Sequence, residues 1–332
     1  MAFTENDVLN TACLLLSKDL HPAVSFKLLK DVVRAPENDG RLKELKKRVL
    51  YSGLVKELES EQKYDGSWGR FLTKDYTLKK KFPTTAIAVE RALYIGLDKS
   101  DDLLFNALEY IKGVIQGEIR LTDTGEVNER WPAMQKYRIA YYLEKIEPNS
   151  EYTDEIWNTW LYIINRAFRE GTYNYELDKQ AQREVFGITG SRLIPLPFKF
   201  IMLRGNHISP ELEQSLLSHC WERHCINGYY WSEAILHNLP SDFYYSKTRR
   251  WFYPLEFFSG FRQNGKYLWK AMEWLWNGRS DEGLWDFGPQ IKDPFGYFCY
   301  LSEDGWRKAG KRAIDCTVEV LVLLRRYIDF NR

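Results

Sequence analysis

The chain has 332 residues, and its 47 basic and 46 acidic side chains almost cancel, which excludes a global electrostatic field that would favour nucleic acid. This length permits one large domain or two ordinary ones, with ample room for a core. The 12 Trp, 21 Tyr and 18 Phe residues exceed what helix packing needs, so they favour a cavity for an apolar or ring-shaped ligand. An ordinary core of aromatic side chains is the alternative.

The N-terminal segment and the cysteines bear on the cellular compartment. The first residues, MAFTENDVLNTACLLL, lack a basic region and a long apolar run, unlike a signal peptide or an anchor. No stretch of the sequence approaches the ~20 apolar residues of a membrane span. The five cysteines show no disulfide-scaffold spacing. We therefore expect a cytoplasmic protein with reduced thiols and no transmembrane segment.

Apolar periodicity predicts a succession of helical hairpins, each made of an outer and an inner helix. The outer helices are predicted at 5–18, 41–61, 100–116, 151–170, 209–226 and 265–277. All but the last of the six inner helices are predicted to begin at a proline, where the missing N–H would have no partner anyway. These prolines are Pro22, Pro83, Pro132, Pro195 and Pro254. The sixth inner helix begins near Ala313 without a proline.

The connections differ in length on the two sides of the predicted hairpins. Those from inner to outer helix are short, whereas those from outer to inner helix are long after the first hairpin. Loops longer than about a dozen residues are uncommon unless they have a function, so we expect the functional site on the rim that carries them. No break in composition divides the chain. The sequence predicts a single all-α domain over residues 1–332, a six-hairpin α/α toroid (α6/α6 barrel), with an open helical solenoid as the alternative.

Two segments share a pattern that runs from a helix through a glycine turn to a tryptophan. The downstream copy consists of Lys270-Ala271-Met272-Glu273-Trp274-Leu275, Arg279, Gly283 and Trp285, and the upstream copy of Leu58, Gln62, Gly66 and Trp68. The pattern resembles the QW repeat of squalene and oxidosqualene cyclases. Arg279 replaces the usual Gln, and Glu57 stands where an aromatic residue is usual. The resemblance implies the α/α-toroid superfamily of terpenoid cyclases and protein prenyltransferases.

A second motif lies at the start of the last inner helix. Asp315-Cys316-Thr317-Val318-Glu319 resembles the Asp-Cys-Thr-Ala-Glu motif of oxidosqualene cyclases. The resemblance implies that Asp315 is the general acid and Cys316 its hydrogen-bond partner, while the role of Glu319 stays open. Such an acid must be kept protonated, and a desolvated aromatic cavity raises the pKa of a carboxyl group. The alternative is that Asp315 is an ordinary acid at a helix N-terminus.

The resemblance implies proton-initiated cyclisation or isomerisation of an isoprenoid or polyene. Triterpene cyclases are longer and have two toroids, so this chain favours a shorter isoprenoid, with or without a diphosphate, or a partner subunit in a homo- or heterodimer. Residues near the starts of the inner helices are predicted to bind the substrate. They are His21, Phe82, Trp131, Arg192, Tyr253 and Glu256. Basic residues there, such as Lys79-Lys80-Lys81, can hold a diphosphate at helix N-termini or be solvated loop charges.

Other functions remain open. A carbohydrate-active toroid would need an acid pair, which Glu256 can form with Asp315 or Glu319. A toroid that only binds an apolar ligand is the alternative outside enzymes. Cys220 and His224 have the i, i+4 spacing of zinc ligands, although a buried cysteine and a satisfied histidine are commoner. No Walker, Rossmann or nucleophile-elbow motif is present, so the sequence predicts no cofactor.

Overall fold

The computed structural model describes residues 2–123, 131–188, 195–226, 235–242, 248–288, 300–303 and 305–331. These ranges are helical and contain no β-strand, which confirms the predicted all-α class. Their α-helices are α1 (Glu5–Leu16), α2 (Pro22–Lys27), α3 (Gly40–Leu50), α4 (Gly53–Glu61), α5 (Thr85–Tyr94), α6 (Asp102–Gln116), α7 (Trp131–Ile146), α8 (Asp154–Ala167), α9 (Tyr175–Phe186), α10 (Pro195–Met202), α11 (Pro210–Cys220), α12 (Thr248–Phe258), α13 (Gly265–Asn277) and α14 (Ala309–Phe330). Within these ranges, none of the helices has the length and apolar character to cross a membrane.

Every predicted outer helix corresponds to a helix of the structure, but the second one is broken. The predicted helix 41–61 is divided into α3 and α4 at Tyr51 and Ser52. The Ser52 hydroxyl donates to the carbonyl of Val49 at 2.6 Å, and the Gly53 N–H donates to Glu303 Oε1 at 2.6 Å. Because the Gly53 N–H is bonded to a distant side chain, the ladder of helical hydrogen bonds is interrupted there.

Two inner helices begin earlier than the sequence predicts. Pro254 lies inside α12, which starts at Thr248, so the prediction of a helix start at Pro254 is wrong. The prediction that Tyr253 precedes a helix is wrong for the same reason. Helix α14 begins at Ala309, with Lys308 as its N-cap residue. Asp315 is therefore in the second turn of α14, and its interpretation as a cap or first-turn acid is also wrong.

The first inner helix changes its geometry along its length. It begins as α2, continues as a π-helix over Leu28–Val33, and ends at Arg34 in the left-handed conformation, with φ of 60°. Single π-helical turns inside α-helices are often found at functional sites. The predicted long loop at 171–194 also contains more structure than expected, because helix α9 lies within it and packs against α8.

The chain folds into two compact units. Unit 1 comprises Met1–Glu57, Tyr94–Gly96 and Trp221–Arg332, and unit 2 comprises Leu58–Leu93 and Leu97–Cys220. In unit 1, α14 packs against α1, α2, the π-helix and α13, so that the last helix lies against the first ones. Its buried residues include Val318, Leu321 and Leu324. The burial of these apolar side chains stabilises the packing of unit 1 around α14.

In unit 2, helix α7 packs against α6, α8 and α10. A buried ion pair joins these elements. Arg204, which follows α10, donates from Nε to Glu144 Oε1 at 2.9 Å and from Nη1 to Asp154 Oδ1 at 2.7 Å. Glu144 is on α7, and it also accepts a hydrogen bond from the Thr153 hydroxyl. A buried charge that lost its partner would be strongly destabilising. These contacts therefore fix the positions of α7, α8 and α10 relative to one another.

The two glycine–tryptophan turns have the same hydrogen bonds, one turn in each unit. The Trp68 N–H donates to Thr85 Oγ1, and its indole Nε1 donates to the carbonyl ten residues earlier, at 3.0 and 2.9 Å. Trp285 does the same with Thr317 Oγ1 and the carbonyl of Leu275, at 3.0 and 2.6 Å. Both indoles are buried. The two sequence copies are therefore also structural repeats.

The copies differ at the position of the usual Gln. Gln62 donates to the carbonyls of Gly66 and Leu103, at 3.0 and 2.9 Å, and so links its turn to α6. Arg279 instead lies over the ring of Trp276, with 3.9 Å from the guanidinium carbon to the ring centroid. At Gly66, where φ is +84°, a Cβ atom would meet the carbonyl oxygen of Asn106 at 2.1 Å. The upstream turn therefore requires glycine for its close approach to α6.

Candidate functional site

The three predicted catalytic residues lie on α14, in unit 1. Asp315 and Glu319 are separated by four positions and therefore share one face of the helix. Cys316 is turned by about 100° around the axis from Asp315. This spacing places the two carboxyl-bearing residues on one side of α14 and Cys316 on another.

Asp315 is fully buried. Its Oδ2 accepts hydrogen bonds from the indole Nε1 of Trp306 at 3.0 Å and from the hydroxyl of Ser302 at 3.5 Å. Nearby, Arg312 donates from Nε and Nη2 to the two carboxylate oxygens of Asp286, at 2.6 and 2.9 Å. Burial opposes the ionisation of Asp286, but the hydrogen bonds from Arg312 prevail and lower its pKa. Asp315 is thus held in a polar, enclosed position rather than in contact with solvent.

Cys316 is a buried free thiol. Burial raises its pKa well above the ordinary value, against the opposing effect of a hydrogen bond from the Phe287 backbone. A thiol in this state is protonated at neutral pH and is a poor nucleophile. The hydrogen bond between Cys316 and Asp315 that the resemblance implies stays a prediction.

Glu319 also has an altered pKa. Burial raises it, Lys27 and the hydrogen bond from Tyr94 lower it, the charges of Glu256 and Asp31 raise it, and the net result is a pKa of about 7. The Tyr94 hydroxyl donates to Glu319 Oε1. Glu319 itself remains partly accessible. A carboxyl group with this pKa can both donate and accept a proton at neutral pH.

The neighbours of Glu319 come from three further elements of unit 1. Lys27, the last residue of α2, forms an ion pair with Asp31 on the π-helix, with 3.2 Å between Nζ and Oδ2. The same Nζ lies 4.4 Å from the centroid of the Tyr94 ring. Asp31, Lys27, Tyr94 and Glu319 therefore form a continuous polar cluster, which we call the Glu319 cluster. Together with Glu256, it is the candidate site.

The sequence could have revealed part of this cluster. Lys27 and Asp31 form an i, i+4 pair of opposite charges within a mainly apolar helical segment, which is a visible signal. Tyr94 gives no such signal, because its contact with Glu319 joins positions 225 residues apart. Glu319 appeared in the motif, but its altered pKa depends on the burial created by the fold.

His21 lies at the start of α2, as the sequence predicts, and acts there as a helix cap. Its Nδ1 accepts a hydrogen bond from the Ala23 N–H at 3.3 Å. Its Nε2 lies 3.6 Å from Glu303 Oε1, the same oxygen that accepts from the Gly53 N–H. These contacts give His21 a structural role, and its predicted role in substrate binding stays a prediction.

Tyr253 and Glu256 are exposed and lie three positions apart on α12, so they share an accessible face. The charge of Glu256 reaches Glu319 and raises its pKa. The structure thus connects Glu256 with the predicted catalytic residues. Tyr253 offers an aromatic ring on the same face of the helix.

The remaining predicted substrate-binding residues are in unit 2 or outside the described residues. Phe82 is fully buried in unit 2, where its N–H donates to Glu61 Oε2 at 3.0 Å. Trp131 begins α7, but its side chain is outside the described residues, and so is Arg192. The prediction that the rim residues surround one pocket mouth stays a prediction.

The zinc alternative rests on Cys220, which is buried at the end of α11, and on His224, whose side chain is outside the described residues. Among the residues that the structure describes, no group of three or more His, Cys, Asp or Glu side chains is arranged to hold a metal ion.

No protein-family model, no curated protein and no solved structure matches this chain. The local chemistry of unit 1 is therefore the basis for a functional assignment.

Proposed function

We propose that the chain is an acid–base enzyme of the terpene cyclase or isomerase type, in which Glu319 exchanges a proton with an isoprenoid or other polyene. The observation that carries this proposal is the hydrogen bond that the Tyr94 hydroxyl donates to the carboxyl group of Glu319, a residue that is only partly buried, next to the Lys27–Asp31 ion pair. Asp315, the donor implied by the sequence motif, is fully buried on the same face of α14. Its position favours a supporting role over direct contact with substrate.

The proposed chemistry begins with protonated Glu319. The carboxyl proton moves to one carbon of a substrate double bond, whose electron pair forms the new C–H bond and leaves a carbocation on the neighbouring carbon. The rings of Tyr94 and Tyr253 offer π faces to a cation. The positive charge of Lys27 would repel the carbocation, but the carboxylate of Asp31 compensates this charge, with 3.2 Å between Lys27 Nζ and Asp31 Oδ2. Loss of a proton from the carbocation to the Glu319 carboxylate, which the first step has left ionised, completes an isomerisation or a cyclisation and restores the acid.

We further propose that the hairpins close into the six-hairpin α/α toroid predicted from the sequence. The support is in unit 1, where α14 packs against α1, α2 and the π-helix. A ring requires the last hairpin to lie against the first, whereas an open solenoid keeps its two ends apart. The repeated tryptophan turns agree with an array of similar hairpins.

The test is turnover of linear prenyl alcohols, diphosphates and epoxides by the purified chain. Glu319→Gln should reduce turnover at least 100-fold, because loss of a general acid typically costs about 10²–10⁴-fold. Glu282→Gln, which changes an exposed glutamate in the turn before Trp285, is the matched control and should be fully active. Asp315→Asn separates the two acids: a loss smaller than that of Glu319→Gln supports Glu319 as the donor. Full activity of Glu319→Gln would refute the proposal.

A carbohydrate-active enzyme is the second candidate, and one observation favours it. Glu256 is ionisable, exposed and close enough to raise the pKa of Glu319, and glycosidases use one protonated and one ionised carboxyl group. A panel of oligosaccharides distinguishes the candidates. Hydrolysis that is lost in both Glu256→Gln and Glu319→Gln would favour this second function over the first.

A further inference from the structure

A small pocket in unit 2 lies between the loop that joins α4 to α5 and the segment that follows α6. Its volume is 230 Å³, below the about 300–1,000 Å³ of pockets that hold drug-sized ligands. Among the residues that the structure describes, its lining contains the cationic side chains of Lys63, Arg70 and Lys80 and the acid Asp75. These described lining residues carry three positive charges and one negative charge, an excess of two positive charges.

The carboxylate of Asp75 already has partners within the protein. Asp75 Oδ2 lies 3.7 Å from Arg70 Nη2, and Asp75 Oδ1 accepts hydrogen bonds from the N–H and hydroxyl of Thr77, at 3.0 and 2.6 Å. These bonds from Thr77 lower the pKa of Asp75. Lys63 and Lys80 form no ion pair with any residue that the structure describes. The excess positive charge is therefore concentrated on these two lysines.

The adjoining loop already binds an anionic group through its backbone. The carboxylate of Asp123 accepts hydrogen bonds from the successive N–H groups of Phe71, Leu72 and Thr73, at 2.7, 2.6 and 2.6 Å. Successive N–H groups that converge in this way form a typical anion-binding concavity. Thr122, the residue before Asp123, lines the pocket, so the concavity and the pocket are adjacent.

The pocket borders open space at Gly69. The φ of this residue, +118°, is a conformation that other residues rarely adopt, and a Cβ atom built there would meet nothing within 4 Å. The lining also includes Trp68 and Pro83, which add apolar atoms to it. A ligand with a multiply charged anionic group and a small organic part would match both the cationic and the apolar residues of the lining.

We propose that this pocket binds a phosphate or diphosphate group, with Lys63 and Lys80 as its direct charge partners. Arg70 is paired with Asp75. The site is independent of the acid chemistry at Glu319, because it uses other residues in the other unit. Each lysine ammonium acts as a separate point charge. Two lysines therefore attract an anion that carries several charges more strongly than a carboxylate that carries one.

The test is isothermal titration of the full chain with sodium pyrophosphate at low ionic strength. Wild type should bind, and Lys63→Gln and Lys80→Gln should each weaken binding about tenfold, or about 1.4 kcal/mol. The matched controls are Lys74→Gln and Lys79→Gln, which remove exposed lysines of the same loop that do not line the pocket. They should change affinity less than twofold. Equal melting temperatures of the four variants establish that all are folded.

Two results would overturn the site. One is the absence of binding by wild type at millimolar pyrophosphate, and the other is an equal loss of affinity in the control variants, which would indicate non-specific attraction. A parallel titration with a prenyl diphosphate identifies the source of the group. Tighter binding of the prenyl compound would assign the site to an isoprenoid headgroup, and equal binding would assign it to the free anion. Neither outcome depends on turnover.

Discussion

Opposing effects of its surroundings place the pKa of the Glu319 carboxyl group near neutral pH. Burial, Glu256 and Asp31 raise its pKa, whereas Lys27 and Tyr94 lower it, and the result is about 7. In the unfolded chain, where the ordinary value is 4.5, the carboxyl ionises at lower pH. The folded state therefore binds more protons between these two values, so this residue makes stability fall as pH rises through that window.

Glu319→Gln tests this linkage directly. Between about pH 4.5 and about pH 7, the free energy of unfolding of wild type should decrease more steeply with pH than that of the variant, because the amide does not ionise. Urea denaturation at several pH values measures both slopes, and Glu282→Gln should retain the wild-type slope. Equal slopes in wild type and Glu319→Gln would show that the pKa of Glu319 is not raised.

The neighbours of Glu319 can be separated by two further substitutions. Lys27→Met removes a charge that lowers the pKa of Glu319, so the pKa should rise, and Glu256→Gln removes a charge that raises it, so the pKa should fall. Carbon-13 NMR titration of the glutamate side-chain carboxyl groups measures both shifts. Shifts in the same direction would contradict the proposed arrangement of charges around Glu319.

Among the helices, the buried contacts of Arg204 lead to a prediction about stability. Glu144→Gln removes the buried one of the two carboxylates that pair with Arg204, whereas Asp154 stays, so the expected loss is about 1–3 kcal/mol rather than the about 3–5 kcal/mol of a buried charge left without any partner. The control is Glu155→Gln, an exposed glutamate in the first turn of α8, which should change stability by less than about 0.5 kcal/mol. Chemical denaturation of both variants provides the comparison. Similar stabilities would mean that this ion pair does not secure α7, α8 and α10.

The helices were largely predictable because their signals are local. Amphipathic periodicity located all six outer helices, and prolines located the beginnings of α2 and α10. The break between α3 and α4 was not predictable, because it depends on Glu303, 250 positions away from Gly53. Pro254 misled the prediction because a proline is favoured in the first turn but is also tolerated, at a cost, inside a helix. The sequence shows that a proline is present at position 254, but not whether this proline begins the helix or lies inside it.

The candidate site was predictable only in part. The motif on α14 identified Asp315, Cys316 and Glu319, but the burial of Asp315 and the accessibility of Glu319 follow from packing. Lys27 and Tyr94 reach Glu319 from distant parts of the chain. Contacts of this kind depend on the tertiary fold, and no local pattern in a single sequence encodes them.

Unit 1 brings three separate segments of the chain together around the Glu319 cluster. Its segments come from the first 57 residues, from Tyr94–Gly96 and from Trp221 onwards. Lys27 and Asp31 belong to the first segment, Tyr94 to the second, and Glu319 to the third. The cluster therefore forms only when these segments have assembled, and mutations that weaken the packing of α14 should affect the site and the fold together.

The most direct test of the proposed proton transfer is the reaction in D₂O. If Glu319 protonates a substrate double bond, each product molecule should gain one deuterium on carbon at that step, because the carboxyl proton exchanges with solvent before transfer. Mass spectrometry of the product, with Glu282→Gln as the active control, measures this incorporation. A product that forms at the wild-type rate without carbon-bound deuterium, or that forms equally well with Glu319→Gln, would contradict the mechanism.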